Sequence, residues 1–308
     1  MTTKLRYRTL VADSARWEGF EFRDGDIIIS TPPKCGTTWT QMICALLVFQ
    51  TSDFDRQLDL ISPWLDQNTK SRDEVFADLA AQDHRRFIKS HTPIDGLPWD
   101  DRVTYVAVGR DPRDVAISMA HHFDNLDFGA FLGLIDRAVG LDTLADVMSD
   151  PPPADSTAVE RFWAWVDDAT PLGRTLSGLA GTLHHLSTFW ELRERPNVVL
   201  LHYGELQADL TGQMRRLASE LGIDVGDDKV AQLAPAADFE NMRERATAVA
   251  PNTTEPIWVD STSFFHRGTS GQWRDLLDEN DLRRYAARAT ELAADDFSYW
   301  VHQGPISD

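Results

Sequence analysis

The sequence predicts an α/β fold, a parallel sheet with helices on both faces, and three observations lead there. Four short β-rich runs at 27–31, 86–89, 103–108 and 198–201 are separated by stretches of helical pattern, an alternation that builds covered parallel sheets. The first run passes through "TPPKCGTTW" into Trp39, Met42, Ile43, Leu46 and Leu47, which fall at i, i+3, i+4, i+7 and i+8 and form one apolar helix face. After the third run, Asp111-Pro112-Arg113-Asp114 supplies an N-cap, a proline at the first helical position and an acidic first turn. A helix therefore starts there and runs through Ser118.

The 308 residues are enough for one large core, and the expectation is a single domain over 1–308 with mobile loops near 124–160 and 246–273. In the first of these, Pro151-Pro152-Pro153 breaks a long middle region that ends in the aromatic cluster Phe162-Trp163-Ala164-Trp165. The second is rich in Pro, Ser, Thr and Gly, hence loop-like. No internal repeat is visible.

Charge narrows the function. With 30 Lys and Arg against 49 Asp and Glu the formal net charge is −19. Such a surface repels nucleic acid and anionic membrane, so a polyanionic ligand needs a pocket built from a few placed cations. The two cysteines, Cys35 and Cys44, match no zinc or disulfide pattern. They read as reduced thiols, with Cys44 in the core. The N-terminus lacks an apolar signal core, and the longest apolar run, 42–49, is far short of the roughly 20 residues that span a bilayer. A soluble cytoplasmic protein is expected.

The cations that could build the pocket sit at strand ends. After the first run, a tight turn opening into a helix near Thr37 aims backbone N–H groups and a positive helix end at one point, a natural anion site. Lys34 adds charge, and Thr37 and Thr38 add hydroxyl donors. In a Walker loop the lysine follows the glycine; here Lys34 precedes Gly36, and a generic strand-to-helix turn would also fit. The second run ends "FIKSHTP". Lys89 and His91 are two apart and share a face if strand pairing continues, and an imidazole suits general base work near neutral pH. The third run ends "YVAVGRDPRDVAIS". Arg110 can grip a phosphate in bidentate fashion there, or Asp111 or Asp114 can absorb it in a salt bridge. Three strand ends thus deliver Lys34, Lys89, His91 and Arg110 to the carboxyl edge of one sheet, where open α/β folds bind ligands. His121-His122 invites a metal reading, but neighbouring helix positions do not share a face. One histidine on the helix face and one at the surface is the expectation, with no metal.

These residues resemble the cytosolic-type sulfotransferases that use 3′-phosphoadenosine 5′-phosphosulfate (PAPS) and release the bisphosphate PAP. Lys34-Cys35-Gly36-Thr37-Thr38-Trp39 is similar to that family's 5′-phosphosulfate loop, Lys89-Ser90-His91 to its catalytic step, and Arg110 with Ser118 to its 3′-phosphate pair. Tyr203 in "LLHYGEL" resembles the tyrosine near the adenosine. Phe264-Phe265-His266-Arg267-Gly268 with Gly271-Gln272-Trp273 resembles the late phosphate loop. The matches run in family order from 26 to 273. The stretches 62–67, 84–97 and 249–258 resemble the mycobacterial glycolipid branch.

The resemblance implies a P-loop-NTPase-like three-layer fold and transfer of a sulfuryl group to an acceptor hydroxyl, on a glycolipid or another hydrophobic alcohol. It implies His91 as base, Lys34 at the departing phosphate oxygen and Lys89 on the sulfonate oxygens. Arg110, Ser118, Arg267 and Gly268 would hold the 3′-phosphate, and Trp39 would pack on the adenine. Two departures stand out. His266-Arg267-Gly268 replaces Arg-Lys-Gly, exchanging a fixed charge for a titratable one, and Ala237-Asp238 replaces a Thr-Ser pair. No dimerisation signature is visible in "QWRDLLDENDL", so the oligomeric state stays open. Trp64, Trp99 and the aromatic cluster at 162–165 are candidates for an apolar acceptor pocket or for core. The rival reading, a P-loop kinase or NTPase using ATP, would need a lysine after the glycine and an acidic metal ligand.

Overall fold

The computed structural model describes residues 5–148, 156–251, 255 and 257–305. Pro151-Pro152-Pro153 and part of the 249–258 stretch lie outside the described residues. Among the described residues, no helix is long and apolar enough to cross a membrane.

Four parallel strands form the sheet: β1 (Ile27–Ser30), β2 (Phe87–Ser90), β3 (Thr104–Gly109) and β4 (Val198–His202), in the order β2-β1-β3-β4. The register sets Ile29 opposite Lys89 and Val106, and Gly109 opposite His202. Side chains alternate between faces along each strand, and the core divides accordingly. Ile27, Ile29, Phe87, Val106, Val108 and Leu201 pack with the Thr37–Phe49 helix on one face. Ile28, Ile88, Tyr105 and Ala107 pack with Trp17, Leu79 and Phe189 on the other. Both faces of the sheet are covered, as the runs of Ile and Val require.

The Thr37–Phe49 helix is buried almost all round. Met42, Ile43, Cys44, Ala45, Leu46 and Leu47 are all at most 1% exposed, so the apolar stripe in the sequence marks a helix enclosed by structure. The helix at Pro112–Asp124 starts where expected, its N-cap Asp111 accepting from the Arg113 N–H at 3.0 Å. It ends six residues beyond Ser118. The 124–160 segment, expected as loop, contains the Phe128–Val139 helix, capped by Asp127, which accepts from Ala130 N–H.

The aromatic cluster at 162–165 lies on the Ala158–Val166 helix, opened by a capping box of Thr157 and Glu160. Phe162 and Trp163 are buried in a third core cluster with Leu186, Tyr285 and Trp300. Their role is packing.

β1 is flanked by β2 on one side and β3 on the other, so the chain winds in opposite directions from it. The carboxyl ends of β1 and β3 therefore border the point at which the strand order reverses, where α/β sheets form their ligand crevice. At the opposite end of the strands, buried Asp26 and Arg86 pair, with Arg86 Nε donating to Asp26 Oδ1 at 2.8 Å.

Candidate active site

The loop after β1 is a strained turn. Cys35 N–H donates to Pro32 O at 3.2 Å, closing a four-residue turn with Pro33 and Lys34 at its centre. Proline presets the first central position, and the second needs a left-handed backbone. Lys34 supplies it with φ +69°, and Gly36 follows at +92°. A non-glycine residue held there stores strain that surrounding contacts must maintain. One such contact is visible: Arg110 Nη1, from the end of β3, donates to Lys34 O at 2.7 Å. Gly36 also meets Tyr203, since a Cβ at Gly36 would lie 3.2 Å from that ring. The Thr37–Phe49 helix opens directly after, and the N–H groups of its first turn have no intrahelical acceptors.

Arg110 is 5% exposed and lies 4.2 Å over the Tyr203 ring. Neither aspartate forms an ion pair with it. Asp111 pairs with Arg113 at 2.7 Å and accepts from Trp273 Nε1, while Asp114 accepts from the N–H groups of Gly271 and Gln272 at 2.7 and 2.8 Å. Those bonds tie the late loop to the start of the Pro112–Asp124 helix. In that loop Gly268 adopts φ +63°, and a Cβ there would strike Phe239 at 2.1 Å.

On the other side of β1, the Lys89 ammonium sits 4.4 Å over the Trp64 ring, and the same ring meets His91 edge-on at 4.9 Å. Trp64 is held in turn by buried Asp66, which also accepts from Trp17, Ser90 and Thr92. The sequence marked Asp66 only as a member of the 62–67 stretch, with no role; its partners lie on three separate segments. His91 Nδ1 lies 2.7 Å from Thr31 O. A carbonyl only accepts, so Nδ1 carries the hydrogen and Nε2 is left with a free lone pair. Burial and then the neighbouring Lys89 hold the imidazole well below its usual pKa, so it is neutral at physiological pH.

These groups line one cavity of about 650 Å³, within the range of small-molecule sites. Its polar half gathers Lys34, Gly36, Thr37, Thr38, Trp39, Arg110, Ser118, Tyr203, His266, Arg267 and Gly268. Cys35 is absent from the lining: its thiol is fully buried and pushed up to about 12 by burial. Cys44 is buried in the core. Trp99 also lies elsewhere, stacked on Tyr105 at 5.1 Å. The apolar half is walled by Leu10, Val11, Phe131, Ile257, Trp258 and Phe264, contributed by three separate segments that pack as one cluster.

The histidine pair departs from expectation. Both His121 and His122 are half-buried, and His122 lines the cavity. His121 stacks on His266 with centroids 3.6 Å apart, and His122 Nδ1 lies 3.4 Å from Lys34 Nζ. They diverge along the helix, as adjacent positions must, but the late loop and the phosphate turn cover both. Among the described residues no group of three or more His, Cys, Asp or Glu could hold a metal ion.

The polar half fits a polyanionic nucleotide. Among the described residues no carboxylate pairs with Lys34 or Arg110, and a buried cation without a counter-ion is costly. Three buried polar atoms lack a hydrogen-bond partner here: Trp39 Nε1, Arg110 Nε and His266 Nε2. Buried polar groups are almost always satisfied, so three orphans around one concave surface point to a ligand that satisfies them.

Comparison with known proteins agrees with this geometry. A glycolipid sulfotransferase of Mycobacterium bovis BCG is 43% identical over 316 residues, covering 99% of this chain and 96% of that protein. One from Mycobacterium tuberculosis H37Ra is 44% identical over 312 residues at the same coverage. The crystal structure of retinol dehydratase with retinol and PAP shares the fold, with a TM-score of 0.70 at 22% identity over 92% of this chain and 85% of that one. The sulfotransferase domain family matches residues 24–297, and with strand exits, cavity and relatives in accord, the chain belongs to that family.

Proposed function

We propose that the protein transfers a sulfuryl group from PAPS to the hydroxyl of a hydrophobic alcohol of the glycolipid class. One observation carries this reading. Three strand exits bring Lys34, Lys89, His91 and Arg110 into a single cavity whose other half is apolar. A polyanionic donor suits the first half and a lipid-like acceptor the second.

The donor supplies the activated sulfuryl group when bound; the chain supplies position and charge. Sulfuryl transfer parallels phosphoryl transfer in depending on alignment and electrostatic stabilisation. His91 Nε2, unprotonated and facing the cavity, accepts the acceptor hydroxyl's proton. Lys34 serves the departing phosphate oxygen and Lys89 the sulfonate oxygens. Arg110, Ser118, Arg267 and Gly268 hold the 3′-phosphate, and Trp39, set edge-on to Tyr203 at 5.2 Å, flanks the adenine. Sulfur-labelled PAPS incubated with purified protein should label a long-chain glycoside or glycolipid, and Mg·ATP should give no phosphoryl transfer to the same acceptors. Phosphorylation without sulfation would replace this reading with that of a P-loop kinase.

His266 adds a pH dependence. Burial first, then His121 and Arg267, lower its imidazole to about 4, so it carries no charge at neutral pH in the free protein. A phosphate beside it stabilises the protonated form and raises its pKa. Binding then takes up a proton, so affinity rises as pH falls. PAP titrated by calorimetry should bind more tightly at pH 6.5 than at pH 8. A fixed charge from His266→Arg should reduce this slope to the part that Lys34, lowered to about 7 by burial, contributes, and tighten binding at pH 8 by about tenfold, given that hydrogen bonds to charged groups contribute about 1.5–3 kcal/mol. An unchanged slope in His266→Arg would remove His266 from the nucleotide site.

A further inference from the structure

His122 lies beyond the residues to which the foregoing reading gives a role. It stands in the last turns of the Pro112–Asp124 helix, its ring 5.0 Å from Trp258 and 6.2 Å from Phe264. Lys34 Nζ reaches toward the same place, 4.7 Å over the Phe264 ring and 3.4 Å from His122 Nδ1. An ammonium has donors only, so at this contact Nδ1 accepts and the ring proton resides on Nε2.

None of the neighbouring groups Arg110, Lys89, His91, His121 and His266 makes a hydrogen bond to the Lys34 Nζ. Arg110 approaches from β3, Lys89 and His91 from β2, His121 from the same helix as His122, and His266 from the late loop. Arg110 and Lys89 are cations that repel it. The Nδ1 of His91 faces Thr31 O, and His121 and His266 are stacked on each other. His122 Nδ1 is the side-chain acceptor that the structure gives Lys34.

We infer that His122 is a positioning residue for sulfuryl transfer: through Nδ1 it holds the Lys34 amine at the boundary between the two halves of the cavity, where the amine would serve the donor's departing oxygen. This rests on the reading of Lys34 given above. The electrostatics agree. Burial, Arg110 and Lys89 lower Lys34 to about 7. Burial and then Lys34 itself keep His122 well below its usual value, so the ring stays neutral and able to accept. A neutral acceptor favours the ammonium over the free amine. Its loss should therefore lower the Lys34 pKa further and move the alkaline limb of kcat/KM to lower pH.

Three variants separate this role from others. The Oδ1 of His122→Asn can stand near the Nδ1 position, the amide of His122→Gln reaches toward the Nε2 position, and His122→Phe removes both. We expect His122→Gln and His122→Phe to lose about tenfold or more in kcat, as removed electrostatic contacts do, with the alkaline limb shifted downward. His122→Asn should stay within about threefold, as a retained hydrogen bond implies, with the limb near its wild-type position. Melting temperatures identify any variant that fails to fold, and the Asn and Gln pair suffices without Phe. If Gln restores activity and Asn does not, the imidazole serves the acceptor through Nε2 and the inference fails. It also fails if all three keep the wild-type kcat and limb. Wild-type protein in the same assay keeps the two readings apart. Failure of wild-type transfer would unseat the role of Lys34, whereas active wild type with indifferent variants would unseat only that of His122.

Discussion

His91→Ala should cut sulfuryl transfer by about 10²–10⁴-fold while leaving nucleotide binding nearly intact. The expectation follows from three contacts. Thr31 O fixes the hydrogen on Nδ1, Trp64 packs against the ring, and burial with Lys89 keeps the imidazole neutral. Together they present an unprotonated Nε2 in fixed orientation. Positioned general bases contribute about 10²–10⁴-fold, so kcat should fall by that factor, with PAP affinity changed by less than about threefold because His91 lies across the cavity from the Arg110 side. The pH profile gives a second reading. A base whose pKa is lowered stays unprotonated into acid, so the acidic limb of the wild-type kcat/KM should lie well below 6.5, and it should be absent from residual His91→Ala activity. Turnover by His91→Ala at the wild-type rate would refute the assignment.

Much of this arrangement was legible in the sequence because it is local. The four strands declared themselves as short β-branched runs, and their register is what buried alternation enforces on a covered parallel sheet. The strand-end cations were legible for the same reason: a residue at the end of a strand, as Lys89 is, or one to four positions past it, as Arg110 and Lys34 are, emerges at its carboxyl edge. What was not legible depends on contacts between distant segments. Asp114 read as a first-turn acid serving its helix, yet it accepts from backbone N–H groups 157 and 158 residues away. Asp66 stood in the 62–67 stretch with no role attached; its importance is in Trp17, Trp64, Ser90 and Thr92 converging on one carboxylate. The aromatics at 162–165 and Trp99 could have faced either core or cavity on composition alone, and the helices packed around them sent them away from the cavity. His121 and His122 looked idle because a helix drawn alone exposes what the late loop covers.

Lys34→Met should reduce kcat by about 10²–10³-fold, equivalent to about 2.7–4 kcal/mol of barrier, a loss carried by the chemical step more than by binding. Methionine keeps the apolar stem and leaves the left-handed turn at φ +69° to the same contacts, so the change isolates the charge. Nucleotide affinity retains Arg110, the helix N-terminus and the late loop, and should weaken by less than about tenfold, the size of a partly redundant charge contact. The wild-type alkaline limb identifies the charge as Lys34. In the free protein the ammonium titrates near 7, and a bound anion raises that value. Wild-type kcat/KM for the donor should therefore decline above pH 7 while kcat declines only at higher pH, and Lys34→Met should lose that decline and keep only the later one of Lys89, whose ammonium burial lowers to about 8. The side from which the lysine enters the loop explains why it matters so much. A Walker lysine follows the glycine, on the helix side, and reaches the β- and γ-phosphates. Lys34 instead sits at the second central position of a turn that ends before the helix begins, and its amine reaches across to His122 and Phe264, at the edge of the apolar half. A cation there is suited to an oxygen bridging nucleotide and transferred group. Lys34→Met retaining kcat within about fivefold would show that the helix N-terminus alone stabilises the leaving phosphate.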